Sequence, residues 1–137
     1  MSLFNVFDVA GSAMNAQSVR MNVTASNLAN AGSVSGDPSK VYRAKQPIFS
    51  TFSTSLADQS GVAGVRLDGV VESSAPLQLL YQPDHPEADA DGNVYATNVR
   101  TVEEMVNMIS ASRSYKNNVE MINTTKDLLL QTLSLGR

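Results

Sequence analysis

The chain has 137 residues, no Cys, one His and a formal net charge of −3, which suits about one domain. The missing Cys removes disulfides, thiolate nucleophiles and thiolate metal sites together. The near-neutral charge leaves no electrostatic footprint for nucleic acid or an anionic membrane, and no apolar run approaches the roughly 18 residues of a membrane span.

Residues 1 to about 30 read as a long helix. Steps of three and four fall on Leu3, Phe7, Ala10, Met14, Gln17, Met21, Thr24 and Leu28, most of them apolar. The stretch is not a secretory signal: it lacks a basic start, and Asn15, Gln17, Ser18, Asn22 and Asn27 interrupt its apolar residues. Ala10, Gly11, Ala13 and Ala16 are small enough to let another backbone approach. The polar face is unusual. From residue 1 to 31 only Asp8 and Arg20 are charged, and the remaining polarity is amide and hydroxyl. A face meant for water normally carries Lys and Glu, whereas amides and hydroxyls are buried at lower cost if neighbours hydrogen-bond them. Both faces are therefore expected to be covered in an assembly. Asn27 and Asn30 at the helix end either bond neighbouring backbone and fix the exit of the chain, or simply mark a helix end, which Asn favours.

The middle, 32–100, is broken by Gly and Pro into short apolar runs at 47–54, 62–67, 69–72, 77–81 and 93–96. These are strand-length and predict a small irregular β-rich module with long loops. Asp84, Glu87, Asp89 and Asp91 cluster around His85 without the ligand register or closing Glu of a calcium loop, so an acidic turn is expected. No Gly-x-Ser-x-Gly elbow is present, and Gly61-Val62-Ala63-Gly64 lacks the Lys-Ser/Thr ending of a phosphate loop. The sequence predicts no enzyme, no cofactor and no metal site.

Residues 102–135 predict a second helix, roughly 50 Å long at 1.5 Å per residue. Thr101 with Glu103 and Glu104 supplies its start, and Gly136 its stop. Coiled-coil steps fall on Met105, Met108, Ser112, Tyr115, Val119, Ile122, Lys126, Leu129 and Leu133. Lys126 on that seam reads as a snorkelling stem. Val106, Ile109, Met121, Leu128, Leu130 and Leu135 lie off it, and the Leu128-Leu129-Leu130 triplet points in three directions, more than one partner helix covers. A compact chain of this length has a radius of gyration near 14 Å, too small to enclose such a rod. Both end helices are expected to fray in the free monomer and to be ordered by partners.

Several ordered motifs have a familiar form. Ala25-Ser26-Asn27-Leu28-Ala29-Asn30-Ala31 followed by Tyr42-Arg43-Ala44 resembles the amino-terminal signature of bacterial flagellar rod and hook proteins. The tyrosine follows Val41 where the family commonly has Gly, and 32–41 lengthen the gap, as in proximal rod members. Phe7-Asp8-Val9-Ala10-Gly11-Ser12-Ala13, Val71-Glu72-Ser73-Ser74-Ala75-Pro76, the Tyr81, Pro83, Pro86, Ala88, Gly92 series, Glu104-Met105-Val106-Asn107, Ser110 to Tyr115, and the ending Thr132-Leu133-Ser134-Leu135-Gly136 extend the resemblance over the whole chain.

The resemblance implies a structural subunit of the rod, the drive shaft that crosses the periplasm and carries torque from the membrane ring toward the hook. It implies export without a cleaved signal peptide by the flagellar type III apparatus. Implied partners are copies of the chain itself, proximal and distal rod proteins, membrane-ring and rod-adaptor proteins and the export apparatus, with no nucleic acid and no small-molecule substrate. The implied fold is mainly α with a small β-rich module: end segments 1–31 and 101–137 paired as a coiled coil, and 32–100 between them. The expected intrasubunit seam sets Leu3, Phe7, Met14, Met21 and Leu28 against Met105, Met108, Tyr115, Val119, Ile122, Leu129 and Leu133. Expected subunit contacts are Asn15, Asn22, Asn27, Asn30, Val106, Asn107, Ile109, Met121, Leu128, Leu130 and Leu135. The other function class is a free-standing helical adaptor, which would need a more charged outer face than this chain has.

Overall fold

The computed structural model describes residues 3–53 and 63–135, with backbone only for Leu3, Phe4 and Ser53; Gly61, Val62 and Gly136, named above, lie outside them. Two helices frame the chain, α1 (Leu3–Ala29) and α2 (Thr101–Leu135). Between them come β1 (Val34–Ser35), β2 (Lys45–Ser53), β3 (Ala63–Glu72), β4 (Gln78–Tyr81) and β5 (Asn93–Ala96). Both helices and the β-containing middle follow the sequence expectation.

The helices pack antiparallel. Asn27, near the end of α1, bonds Glu104 in the first turn of α2, and Arg20, further back on α1, bonds Asn107 further on along α2. At 1.5 Å per residue α1 is about 40 Å long and α2 about 52 Å. Extending the pairing places Leu3 beside roughly residues 124–128, so about two turns of α2 run on beyond it.

The hairpin β2–β3 absorbs two expected runs into one strand. A bulge between Ile48 and Phe49 pairs them with Gly69 and Leu67 and leaves Asp68 as the extra residue. Ser50 Oγ donates to Asp68 Oδ1 at 2.8 Å and Arg66 Nε at 3.1 Å, and both bonds hold the Asp68 carboxyl below its ordinary value. A carboxyl lowered in this way favours the folded state above its unfolded pKa. That contribution fades as pH falls through the lower folded value. The hairpin lies on α1 through Gly64. A Cβ there would sit 2.7 Å from the Phe52 ring and 3.2 Å from Ser12 Oγ, which itself accepts the Val65 N–H at 3.2 Å.

The second sheet has the order β1-β5-β4, all antiparallel, with Val94 fully buried on the central strand. Its loops interlock where Gly36 meets the backbone of Glu87, because a methyl group at Gly36 would collide with the Glu87 carbonyl. Gly36→Ala is expected to cost about 1–3 kcal/mol, read as an earlier urea midpoint.

The core is notable for what it omits. Its buried apolar residues are Ala10, Ala16, Val41, Val94, Val99 and Ala111. Among the described residues no Leu, Ile, Met, Phe or Tyr is buried. The chain exposes 9303 Å², against about 6,900 Å² for a compact monomer of 14.6 kDa. Such a chain leaves much of its apolar surface for others to cover.

Candidate assembly surface

Tertiary order centres on Asn27, which is 1 % exposed. Its Nδ2 donates to the Lys45 carbonyl at 2.8 Å and to Glu104 Oε2 at 3.1 Å. Its Oδ1 accepts the Lys45 N–H at 2.8 Å and the Tyr42 hydroxyl at 2.9 Å. Both donors and both acceptor sites of the amide are thus used. One side chain ties the end of α1 to the start of β2 and the first turn of α2. Asn30 Nδ2 bonds the Ser26 carbonyl and closes the end of the helix. Asn98 does similar work nearby, accepting the Ala44 N–H at 2.8 Å and donating to the Ala75 carbonyl at 3.0 Å.

On the helix pair, Phe7, Met14, Met21 and Leu28 of α1 are half-buried, as are Met108, Tyr115, Ile122 and Leu129 of α2. The Leu3 side chain lies outside the described set. Met105, Val119 and Leu133 are exposed, as is Lys126. The residues of α2 interleaved with Met108, Tyr115, Ile122 and Leu129 at covered positions are Glu104, Ala111, Asn118 and Thr125, of which Ala111 and Thr125 are fully buried. The covered stripe therefore alternates large residues with small or polar ones, and departs from the expected register at Met105, Val119, Lys126 and Leu133, while Ser112 on that register is half-buried. Small residues there permit close approach of the helices, as Ala10 and Ala16 do on α1. The larger side chains next to them, Met105 and Val119, turn outward.

Of the expected subunit contacts, Asn15, Asn22, Val106, Ile109, Met121, Leu128, Leu130 and Leu135 are exposed. Asn27 and Asn107 are instead engaged inside the chain, Asn107 Oδ1 accepting from Arg20 Nη2 at 3.3 Å. Asn30 is half-buried and bonded to its own helix. Val102, Val106 and Ile109 form an open apolar flank near the start of α2; at its far end Leu128 and Leu135 lie open on one side of the helix and Leu130 and Leu133 on the other, with Leu135 84 % exposed.

The loop after β4 is an ordinary turn. Asp89 Oδ1 accepts the N–H groups of Asp91 and Asn93, His85 Nδ1 accepts that of Glu87, and Gly92 takes a left-handed φ of 78°. No cluster of potential metal ligands occurs among the described residues, and no described helix is long and apolar enough to cross a membrane.

A helix pair joined through an asparagine hub, with apolar flanks left open, defines a subunit of a larger assembly. Comparison with known proteins specifies which. The family model for flagella basal body rod proteins matches residues 7–36, and that for the C-terminal region of flagellar basal body rod FlgEFG proteins matches 90–135. Over their full length and that of this chain, flagellar basal-body rod proteins FlgC are 53% identical in Escherichia coli O6:H1 and 52% in Salmonella typhimurium LT2. The FlgC of Buchnera aphidicola from Baizongia pistaciae is 37% identical across the whole chain. The chain belongs to the FlgC family of flagellar basal-body rod proteins.

Proposed function

We propose that the chain is a structural subunit of the proximal part of the flagellar basal-body rod, and that it passes torque from the membrane ring toward the hook. The observation that carries this reading is the open apolar flank of α2 in a chain of the rod family. A shaft is loaded through its subunit contacts, so interlocked helices share the force. In this reading α1 and α2 work as an antiparallel coiled-coil unit of 1–31 and 101–137, and the module of 32–100 lies against neighbours. Copies of the chain and other proximal and distal rod proteins cover the flanks. Membrane-ring and rod-adaptor proteins and the type III export apparatus are the remaining partners.

Deletion of the chain from its own bacterium is expected to abolish the rod and swimming, with recovery on supplying the full chain. Complete rods without it would overturn the reading. Leu129→Ala adds a local test. Full packing of that site would place its cost in the range of about 2–5 kcal/mol. Leu129 is only half-buried in the single chain, so urea unfolding of the monomer is expected to show the low end or less, with the larger defect in motility.

A further inference from the structure

Two charges stand alone on α1. Asp8 and Arg20 are its only ionisable side chains, and neither appears in the ion pairs among the described residues, which are Lys40–Asp37, Arg66–Asp68 and Arg100–Glu103. Asp8 is exposed. Arg20 is half-buried and lines a cleft of about 340 Å³ between α1, α2 and β2, together with Lys45 and Glu104. Its hydrogen bond to Asn107 Oδ1 is long, at 3.3 Å, and made to a neutral acceptor. The carboxylate of Glu104 is already engaged by Asn27, and the Lys45 ammonium lies 5.5 Å from the Tyr42 ring centre. The lining of the cleft thus carries two cationic side chains against one carboxylate, whose Oε2 already accepts from a neutral amide. A guanidinium in that setting loses stability if an assembly removes its remaining water without supplying a counter-charge.

We propose that the Arg20 cleft receives the Asp8 carboxylate of a second copy of this chain. The inference rests on the rod reading, in which copies repeat. On an ideal helix the two residues are about 18 Å apart along the axis and about 120° apart around it. They do not reach each other within one chain. Nor do they share a single stripe, as a two-fold helix pair exchanging both contacts would require. Unlike features on different faces of one element suit a heterologous contact, which builds rings and filaments. A copy displaced along α1 by the separation of the two residues brings one chain's acid level with the other's base. The choice of Asp8 over other acids rests on its setting. It is the sole negative charge on a helix whose remaining polar face is amide and hydroxyl, so coverage of that face leaves it in need of a cation.

Charge exchange tests the pair in the living cell. Asp8→Arg and Arg20→Asp are each expected to reduce swimming to the level of a strain lacking the chain, and the double exchange to restore it. Wild-type swimming by either single variant, or no recovery in the double, overturns the pairing. A second test preserves assembly more gently. The chain has no Cys, so Asp8→Cys/Arg20→Cys in isolated basal bodies offers a short bismaleimide only those two thiols per copy. They are too far apart to join within a copy, so a ladder of linked chains supports the contact. Chain present in the basal bodies but running only as monomer overturns it while leaving the rod reading intact. Absence of even the wild-type chain from basal bodies removes the rod reading itself.

Discussion

Ile109→Glu or Leu130→Glu is expected to abolish swimming while changing the stability of the dilute monomer by no more than about 0.5 kcal/mol. Both side chains lie open in the single chain, at 53 % and 56 % exposure, so little native packing is lost on substitution. The assembled state is different. Leu130 and Ile109 are already about half covered, so covering the rest contributes on the order of 1–1.5 kcal/mol per site by area burial. A carboxylate at the same site loses that gain and adds a desolvation cost of several kcal/mol unless a cation meets it. The contact recurs in every copy, so the defect is multiplied through the structure. Swarm-plate diameter and recovery of rods from lysates measure one half of the prediction, and urea unfolding of the purified chain the other.

Asn27→Ala is expected to act in the opposite way, on the monomer first. It removes four hydrogen bonds and leaves the Lys45 N–H, the Lys45 carbonyl, the Tyr42 hydroxyl and Glu104 to find water in a space where the amide was 1 % exposed. Partial resolvation of half-buried Lys45 and Tyr42 tempers the loss, and about 2–4 kcal/mol is expected. Because Asn27 joins three segments, hydrogen exchange in that variant should rise together at the end of α1, the start of β2 and the first turn of α2. Asn27→Asp keeps the acceptor role but sets a carboxylate facing Glu104 and the Lys45 carbonyl, so it is expected to destabilise as well despite its shape.

Much of the architecture was legible because it depends on local pattern. The bounds of both helices and the strands at β2, β4 and β5 follow from periodicity and from the Gly and Pro breaks between runs. The bulge at Asp68 was not legible, since it depends on cross-strand pairing, and two short runs therefore merged into β3. The helix-facing stripe of α2 was partly hidden for a related reason. Periodicity weighs large apolar residues, whereas closeness of two helices is set as much by Ala111 and Thr125. Asn27 stood out in the sequence as a member of a motif. Its partners, one of them 77 residues away at Glu104, belong to the tertiary fold. The one local signal was Tyr42 following the Asn-Leu-Ala-Asn run at a distance that lets the chain turn back.

The most direct test of the account is residue-resolved amide hydrogen exchange of α2, compared between the dilute purified chain and isolated basal bodies. Exchange near the open-chain rate is expected for the far end of α2 in the dilute chain, with strong protection of the same amides in basal bodies. Protection that is already complete in the dilute chain and unchanged on assembly would mean a self-sufficient fold. That result would contradict the claim that neighbouring subunits complete this core, and would favour a free-standing helical adaptor.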